Sequence, residues 1–201
     1  MQITPLDIAG IYLIRPVRHR DSRGYFSETY RRDLLAAVGI EVEFVQDNES
    51  LSSAAGTVRG LHYQTPPFAQ AKLVRVIAGA AFDVAVDIRA GSPTFGQFAA
   101  TTLTADNGEQ LFIPEGFAHG FCTLCDDTIL AYKVSAPYSK AHDSGVLWSD
   151  PDLAIPWPLA TGTAVVSEKD GQHPRLRDIT SPFTCTLPRH PCVSTGKERR
   201  P

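Results

Sequence analysis

Two imidazoles in separate segments are the first candidates for chemistry. His62 stands in Val58-Arg59-Gly60-Leu61-His62-Tyr63-Gln64, and His119 in Pro114-Glu115-Gly116-Phe117-Ala118-His119-Gly120-Phe121. A free imidazole titrates near neutral pH and can take or return a proton. A catalytic metal site usually needs three firm protein ligands. These segments offer two, with Gln64 where another ligand would be useful. No metal is therefore expected, and no Gly-rich dinucleotide fingerprint points to a nicotinamide. The bland alternative for a lone strand His is a satisfied core residue.

Two further side chains have chemical potential. Lys72 opens the run Lys72-Leu73-Val74-Arg75-Val76. Strand alternation puts it on the face of Val74 and Val76. A lysine aimed into an apolar interior is costly unless an anion faces it. That suits stabilisation of an enolate-like oxygen; the competing reading is a strand-end lysine whose ammonium reaches water. Tyr132 lies between Leu130 and Val134 on one strand face. Taken alone, such a Tyr is most often packing.

The elements that must position these residues read as strands. Candidate strands at 57–64, 72–77, 81–88, 97–104, 110–113, 119–124 and 128–134 are separated by Gly79, Gly91-Ser92-Pro93, Asp106-Asn107-Gly108 and Asp126-Asp127. Many short strands with turn residues between them indicate a sandwich or barrel. The run Phe82–Ile88 alternates, so one face should pack in the apolar core while the other carries Asp83 and Asp87. Residues 1–20 read as extended. Asp21-Ser22-Arg23-Gly24 marks a turn, and a short helix over 33–38 stops at Gly39. Ser167-Glu168-Lys169-Asp170 caps a second short helix. After Trp148 the chain reads as an ordered, non-repetitive wrap.

The chain has 201 residues, one domain of ordinary size, and a formal net charge of −3. That charge is too small to imply nucleic acid or an anionic membrane as partner. No stretch reaches the roughly 20 apolar residues of a spanning helix, and no targeting segment precedes Ile11. Cys122-x-x-Cys125 lacks a second knuckle and falls on an expected strand, so it reads as two small apolar-like residues on opposite strand faces. A reduced, cytoplasmic protein is expected. One domain over 1–187 is followed by an expected flexible tail over 188–201.

The segments holding His62 and His119 resemble the paired strand motifs of a cupin barrel. In that fold a His-x-His, a following Glu and a later His often hold a metal. Here Gln64 replaces the second His of the pair and no Glu follows in place. The chain more specifically resembles the dTDP-4-dehydrorhamnose 3,5-epimerase family. Matching segments run in one order from Asp21 to Asp170: 21–28, 46–48, 58–64, 72–76, 82–89, 92–96, 114–121, Tyr132-Lys133 and 167–170.

The resemblance implies an all-β, cupin-type jelly-roll barrel with short peripheral helices, forming a cofactor-independent homodimer. It implies a dTDP-sugar substrate, dTDP-4-dehydro-6-deoxy-D-glucose, epimerised at C3 and C5. It implies His62 as base, Asp170 as its carboxylate partner and Tyr132 as the acid on the opposite face, with Lys72 at the C4 oxygen. Arg23, Glu28, Gln46, Asp47, Asn48, Arg59 and Lys169 fall in segments expected to hold the nucleotide. Phe26 and Tyr138 are stacking candidates, and His119 is a donor toward sugar or diphosphate. The chain departs from the family at Asp143, where a Glu is usual; one methylene fewer turns a direct contact into a water-mediated one. Close alternatives are a 3-only or 5-only epimerase. A non-catalytic sugar-binding cupin is a further alternative, though a binder needs no base, acid and oxyanion donor together. The extended run from Ile11 to Tyr30 carries binding-type residues ahead of the barrel, so strand exchange or sheet extension is expected to build the dimer.

Overall fold

A computed structural model of the chain describes residues 1–159 and 163–185. The expected tail over 188–201 lies outside the described residues. In chain order the elements are β1 Gln2–Pro5, β2 Tyr12–Arg15, β3 Arg18–Asp21, β4 Gly24–Ser27, α1 Arg32–Ala36, β5 Gln46–Ser52 and β6 Val58–Gln64. They continue with β7 Lys72–Ala78, β8 Ala80–Asp87, β9 Phe98–Thr104, β10 Gln110–Ile113, β11 Phe117–Thr123, β12 Thr128–Val134, β13 Asp143–Gly145 and α2 Glu168–Gly171. A six-stranded sheet in the order β1-β2-β10-β7-β12-β5 faces a five-stranded sheet in the order β13-β6-β11-β8-β9. This is the expected jelly roll. The β3–β4 hairpin forms a two-stranded sheet of its own. Among the described residues no helix is long and apolar enough to cross a membrane.

Alternation fixes what each sheet face holds. On β7, Val74 and Val76 point between the sheets and join Leu111, Ile113, Phe117, Phe121 and Leu130 in the central core. A second cluster lies outside the five-stranded sheet. There Leu61, Tyr63, Val84, Val86 and Ile88 are covered by Val146, Leu153, Trp157, Leu176 and Phe183 from the C-terminal wrap. A third seats Leu35 of α1 and Ile40 against Ile14, Leu73 and Phe112.

The two faces of β8 divide as expected. Its large apolar residues face the wrap, and its acidic face turns into the barrel, where Asp83 and Asp87 are both 0 % exposed. Buried carboxylates need partners. Asp87 accepts from Arg89, Ser92 and Thr94, and Asp83 bonds His119. The wrap makes both faces of the strand interior, which alternation alone does not reveal.

The β6–β11 pair sets the site. His119 pairs with His62, and Phe121 with Arg59, with a register shift between them. Arg59 and His62 are an odd number of residues apart, so a regular strand would send them to opposite faces. The extra residue of the bulge keeps both on the inner face. Two glycines permit the close approach. A Cβ on Gly60 would lie 2.5 Å from the Gly120 Cα, and Gly60 has φ +130°.

Candidate active site

A cavity of about 460 Å³ opens between the sheets, lined by Gln46, Asn48, His62, Tyr63, Gln64, Gln70, Lys72, Tyr132, Tyr138, Asp143 and Lys169. β6 supplies His62 and β13 supplies Asp143 from the five-stranded wall. β7 supplies Lys72, β12 Tyr132, and β5 Gln46 and Asn48 from the six-stranded wall.

His62 Nε2 lies 2.8 Å from Asp170 Oδ1. The other carboxylate oxygen accepts from the Gly60 backbone N–H at 3.1 Å. Asp170 rides on α2, and its backbone N–H donates to the N-cap hydroxyl of Ser167 at 3.1 Å. Burial pushes the Asp170 carboxyl up, but the bonds from His62, Gly60 and Ser167 outweigh it and hold the group at about 2. Asp170 is therefore a fixed anion at neutral pH. It occupies one ring nitrogen of His62 and leaves Nδ1 for a substrate proton.

Lys72 is buried, and its ammonium donates to the His62 carbonyl at 3.4 Å. Burial lowers its pKa to about 8, while Asp83 and Asp143 pull the other way. It is a cation held in a poorly solvated place, suited to an oxygen that gains charge. Burial raises the Tyr132 phenol above its ordinary value, opposed by nearby Arg59. That keeps the hydroxyl protonated and able to donate.

At the mouth, Tyr138 Oη donates to Asp143 Oδ2 at 3.0 Å, and Lys169 pairs with the same oxygen. Burial raises Asp143, and the bonds from Lys169 and Tyr138 reverse that, so its carboxyl sits below the usual range. Gln46 Nε2 donates to Asn48 at 2.6 Å, and Gln46 Oε1 accepts from the Tyr138 backbone N–H at 3.2 Å.

Gln64 has a structural task. Its amide donates to the carbonyls of Phe68 at 2.7 Å and Pro137 at 3.1 Å, and its oxygen accepts from Ser139 N–H at 2.7 Å. It clamps two rim segments together. Among the described residues, His62, Asp170 and His173 form the one group of three whose donor atoms lie within 4.8 Å of one another. His62 and Asp170 stand 2.8 Å apart there. That is closer than the roughly 3.3 Å between tetrahedral ligand atoms on bonds of about 2.05 Å. The spacing is that of a shared proton, so the group is an acid–base cluster.

Several expected site residues stand elsewhere. Asp47 points to the opposite face of β5 from Gln46 and Asn48, where it pairs with Lys133 at 2.8 Å. His119 is buried and not among the lining residues, with Nε2 held by Asp83 at 2.9 Å. Arg59 lies on the inner face beside the cavity and donates to Ser52 and the Leu51 carbonyl. Arg23, Phe26 and Glu28 belong to the β3–β4 hairpin and its exit, outside the cavity lining. Phe26 is 67 % exposed, and among the described residues Arg23 pairs only with its neighbour Asp21. Gln70 lines the cavity and His173 lies beside Asp170, and neither carries a signal in the sequence. No motif marks either, because folding of the rim and the wrap brings them in.

A jelly-roll barrel with a His–Asp pair, a buried lysine and a tyrosine in one cavity defines an acid–base isomerase site on a cupin-type scaffold. The model of the dTDP-4-dehydrorhamnose 3,5-epimerase family matches residues 5–178, and the chain belongs to that family. A Sinorhizobium fredii protein named dTDP-4-dehydrorhamnose 3,5-epimerase is 53 % identical over 183 residues, covering 91 % of this chain and 93 % of its own. A Bacillus anthracis enzyme of the same name, solved with TDP and PPi bound, is 48 % identical with TM-score 0.83, covering 87 % of this chain and 98 % of its own. The dTDP-6-deoxy-D-glucose-3,5-epimerase of Legionella pneumophila, solved with dTDP-4-keto-L-rhamnose, is 40 % identical with TM-score 0.87, covering 93 % and 99 %.

Proposed function

We propose that this protein epimerises dTDP-4-dehydro-6-deoxy-D-glucose at C3 and C5, giving dTDP-4-dehydro-L-rhamnose. One observation carries the reading: His62 and Tyr132 line the same cavity from opposite sheets. A sugar ring held between the walls would present one face to each. Both carbons flank the C4 ketone, so each C–H is acidified by the same carbonyl. His62 Nδ1 takes the α-proton, and the charge moves to the C4 oxygen beside Lys72. Asp170 stabilises the imidazolium without itself taking the proton. Tyr132 returns a proton from the other wall, which inverts the carbon. The cycle needs no metal and no nicotinamide.

The nucleotide is held at the mouth, by Tyr138, Asp143 and Lys169, and by Arg59 on the inner wall. Arg23, Phe26 and Glu28 join them from a second copy of the chain. In support, the hairpin is exposed at Tyr25 and Phe26, and Leu51 and Ile77 on the outer face of the six-stranded sheet are 53 % and 44 % exposed. A homodimer that seats each hairpin on its partner would cover both. Cytoplasmic residence belongs to the same reading, and the three cysteines of the described residues are free thiols.

The test is proton NMR of the sugar in deuterated water, with a reductase added to trap the product. Deuterium at both C3 and C5 with an L-rhamno product is expected. A bound sugar that exchanges neither position would sink the proposal.

A further inference from the structure

His173 has no part in the chemistry above, yet its ring lies against the catalytic pair. Its centroid is 5.7 Å from that of His62, edge to face. Its Nε2 is buried and has no hydrogen-bond partner. That nitrogen lies 3.9 Å from Asp170 Oδ1, the same oxygen that bonds His62. An orphaned buried ring nitrogen costs about 1–3 kcal/mol, so its position asks for a reason. Gly145 makes the room: a Cβ there would meet three atoms of the His173 ring at 2.5 to 2.7 Å. Gly145 pairs directly with His62 across β13 and β6. The two rings and the carboxylate are thus packed as one unit.

We propose that His173 is a positioning residue of the epimerisation site, which packs against the Asp170–His62 pair in place of water and thereby keeps His62 in its neutral, proton-accepting form. The inference rests on the proposed epimerisation only for its activity readout.

The argument is electrostatic. The neutral His173 ring takes the place of water beside the Asp170–His62 pair, 3.9 Å from the anion and without a hydrogen bond to it. An imidazolium at His62 is then less well solvated than it would be beside water. A proton on His173 would add a like charge next to His62, so the pair resists carrying two charges. Four titratable groups face His173: His62 from β6, Asp143 from β13, and Lys169 and Asp170 from α2. Lys169 and Asp143 are paired with each other, so their fields largely cancel. Burial, followed by His62, lowers the pKa of His173. At neutral pH it is an uncharged ring. The consequence is a base that stays unprotonated, and an enzyme that stays active, further into the acid range.

The test is the acid limb of kcat/KM, read from carbon-bound proton exchange, together with a 15N NMR titration of the His62 ring. His173→Ala should move both to higher pH by about half a unit or more, the order expected for a near neighbour of an ionising group. His173→Gln keeps a neutral side chain over the pair and should restore part of the shift. Gly145→Ala keeps His173 but displaces its ring, and should reproduce the alanine result. A purely packing role would lower stability or rate and leave the limb where it is. If the alanine variant does not fold, the wild-type titration decides. A proton that goes first to His62, with His173 taking one only at lower pH, supports the proposal, and a His173 ring protonated before His62 overturns it. Unchanged limbs in a folded, active His173→Ala enzyme also overturn it. Wild-type protein with no exchange at all would remove the epimerase reading and leave the NMR titration standing as its own test.

Discussion

His62 and Asp170 are 108 residues apart in sequence and 2.8 Å apart in space. The wrap that follows the barrel is what closes this distance. It carries α2 across the five-stranded sheet and sets the carboxylate beneath β6. Asp170 is 4 % exposed and held at about 2.

His62→Ala is expected to abolish exchange at both carbons, since a positioned general base contributes about 10²–10⁴-fold. Asp170→Asn should lower kcat by a similar order and leave KM nearly unchanged, because the carboxylate touches the base and not the sugar. Asp170 also bears on acid stability. Its folded pKa lies below the unfolded value of about 3.9. The stabilisation is complete above that value and is lost as pH falls through about 2. It amounts to on the order of 2 kcal/mol. The acid denaturation curve of Asp170→Asn should lack this component. Near-full turnover in His62→Ala would move the base to another residue.

Lys72 should define the alkaline side of the profile. If its ammonium stabilises the enolate, kcat/KM is intact below about 8 and falls as pH rises through that value. Stability runs the other way: the neutral amine suits the buried site, so the fold gains as pH climbs from about 8 toward 10.5. Lys72→Met should cost about 10²–10³-fold in kcat, the usual loss for one oxyanion donor. It should fold at least as well as wild type. An alkaline limb that persists unchanged in Lys72→Met would assign it to another group.

Exhaustive chelation should leave the rate unchanged. The motivation is positional: Gln64, which stands where a second ligand would be needed, spends its amide on three backbone bonds across the rim. A large loss reversed by one added divalent ion would contradict this. Gln64→Ala should loosen the rim instead, raising KM more than it lowers kcat.

Alternation made much of the barrel legible. It placed Lys72 with Val74 and Val76 inside, where the structure has them. The same rule, applied to Gln46-Asp47-Asn48, would have sent Asp47 outward; reading the three as one matching block hid that. Arg59 and His62 share a face only through the bulge opposite His119, and no residue pattern announces a bulge. The acidic face of β8 needed the wrap before its direction could be known. His173 and Gln70 arrive through folding of segments without periodicity. Arg23, Phe26 and Glu28 sit on a hairpin, and a single chain gives that hairpin nothing to close on.

That hairpin can be tested by subunit mixing. Arg23→Ala and Phe26→Ala should each raise KM for the dTDP-sugar, with kcat little changed. Sedimentation should give a homodimer at micromolar concentration. On the proposed reading, a His62→Ala homodimer would lack its base, and a doubly substituted Arg23→Ala, Phe26→Ala homodimer would lack its nucleotide contacts. Mixed dimers would contain one site with both an intact His62 and an intact partner hairpin. Activity should therefore reappear on mixing and re-association. No recovery would mean that the hairpin serves its own subunit or no site at all.

Tyr132→Phe should separate proton removal from inversion. His62 stands on the five-stranded wall and Tyr132 on the six-stranded wall. Removal by His62 needs no hydroxyl opposite. Inversion needs a proton delivered from the other face. Burial keeps the Tyr132 phenol protonated well past neutral pH, so on the proposed reading it would be loaded as the donor before the substrate arrives. Without it, His62 still deprotonates, and returns solvent deuterium to the face it came from. The expected product is a sugar that is isotopically exchanged but unepimerised, or inverted at one carbon only. Phe preserves the ring beside Leu130 and Val134, so folding should be little affected. Equal loss of exchange at C3 and C5 would show that Tyr132 seats the substrate or supports the base. Unchanged double inversion would show that water or another residue supplies the proton.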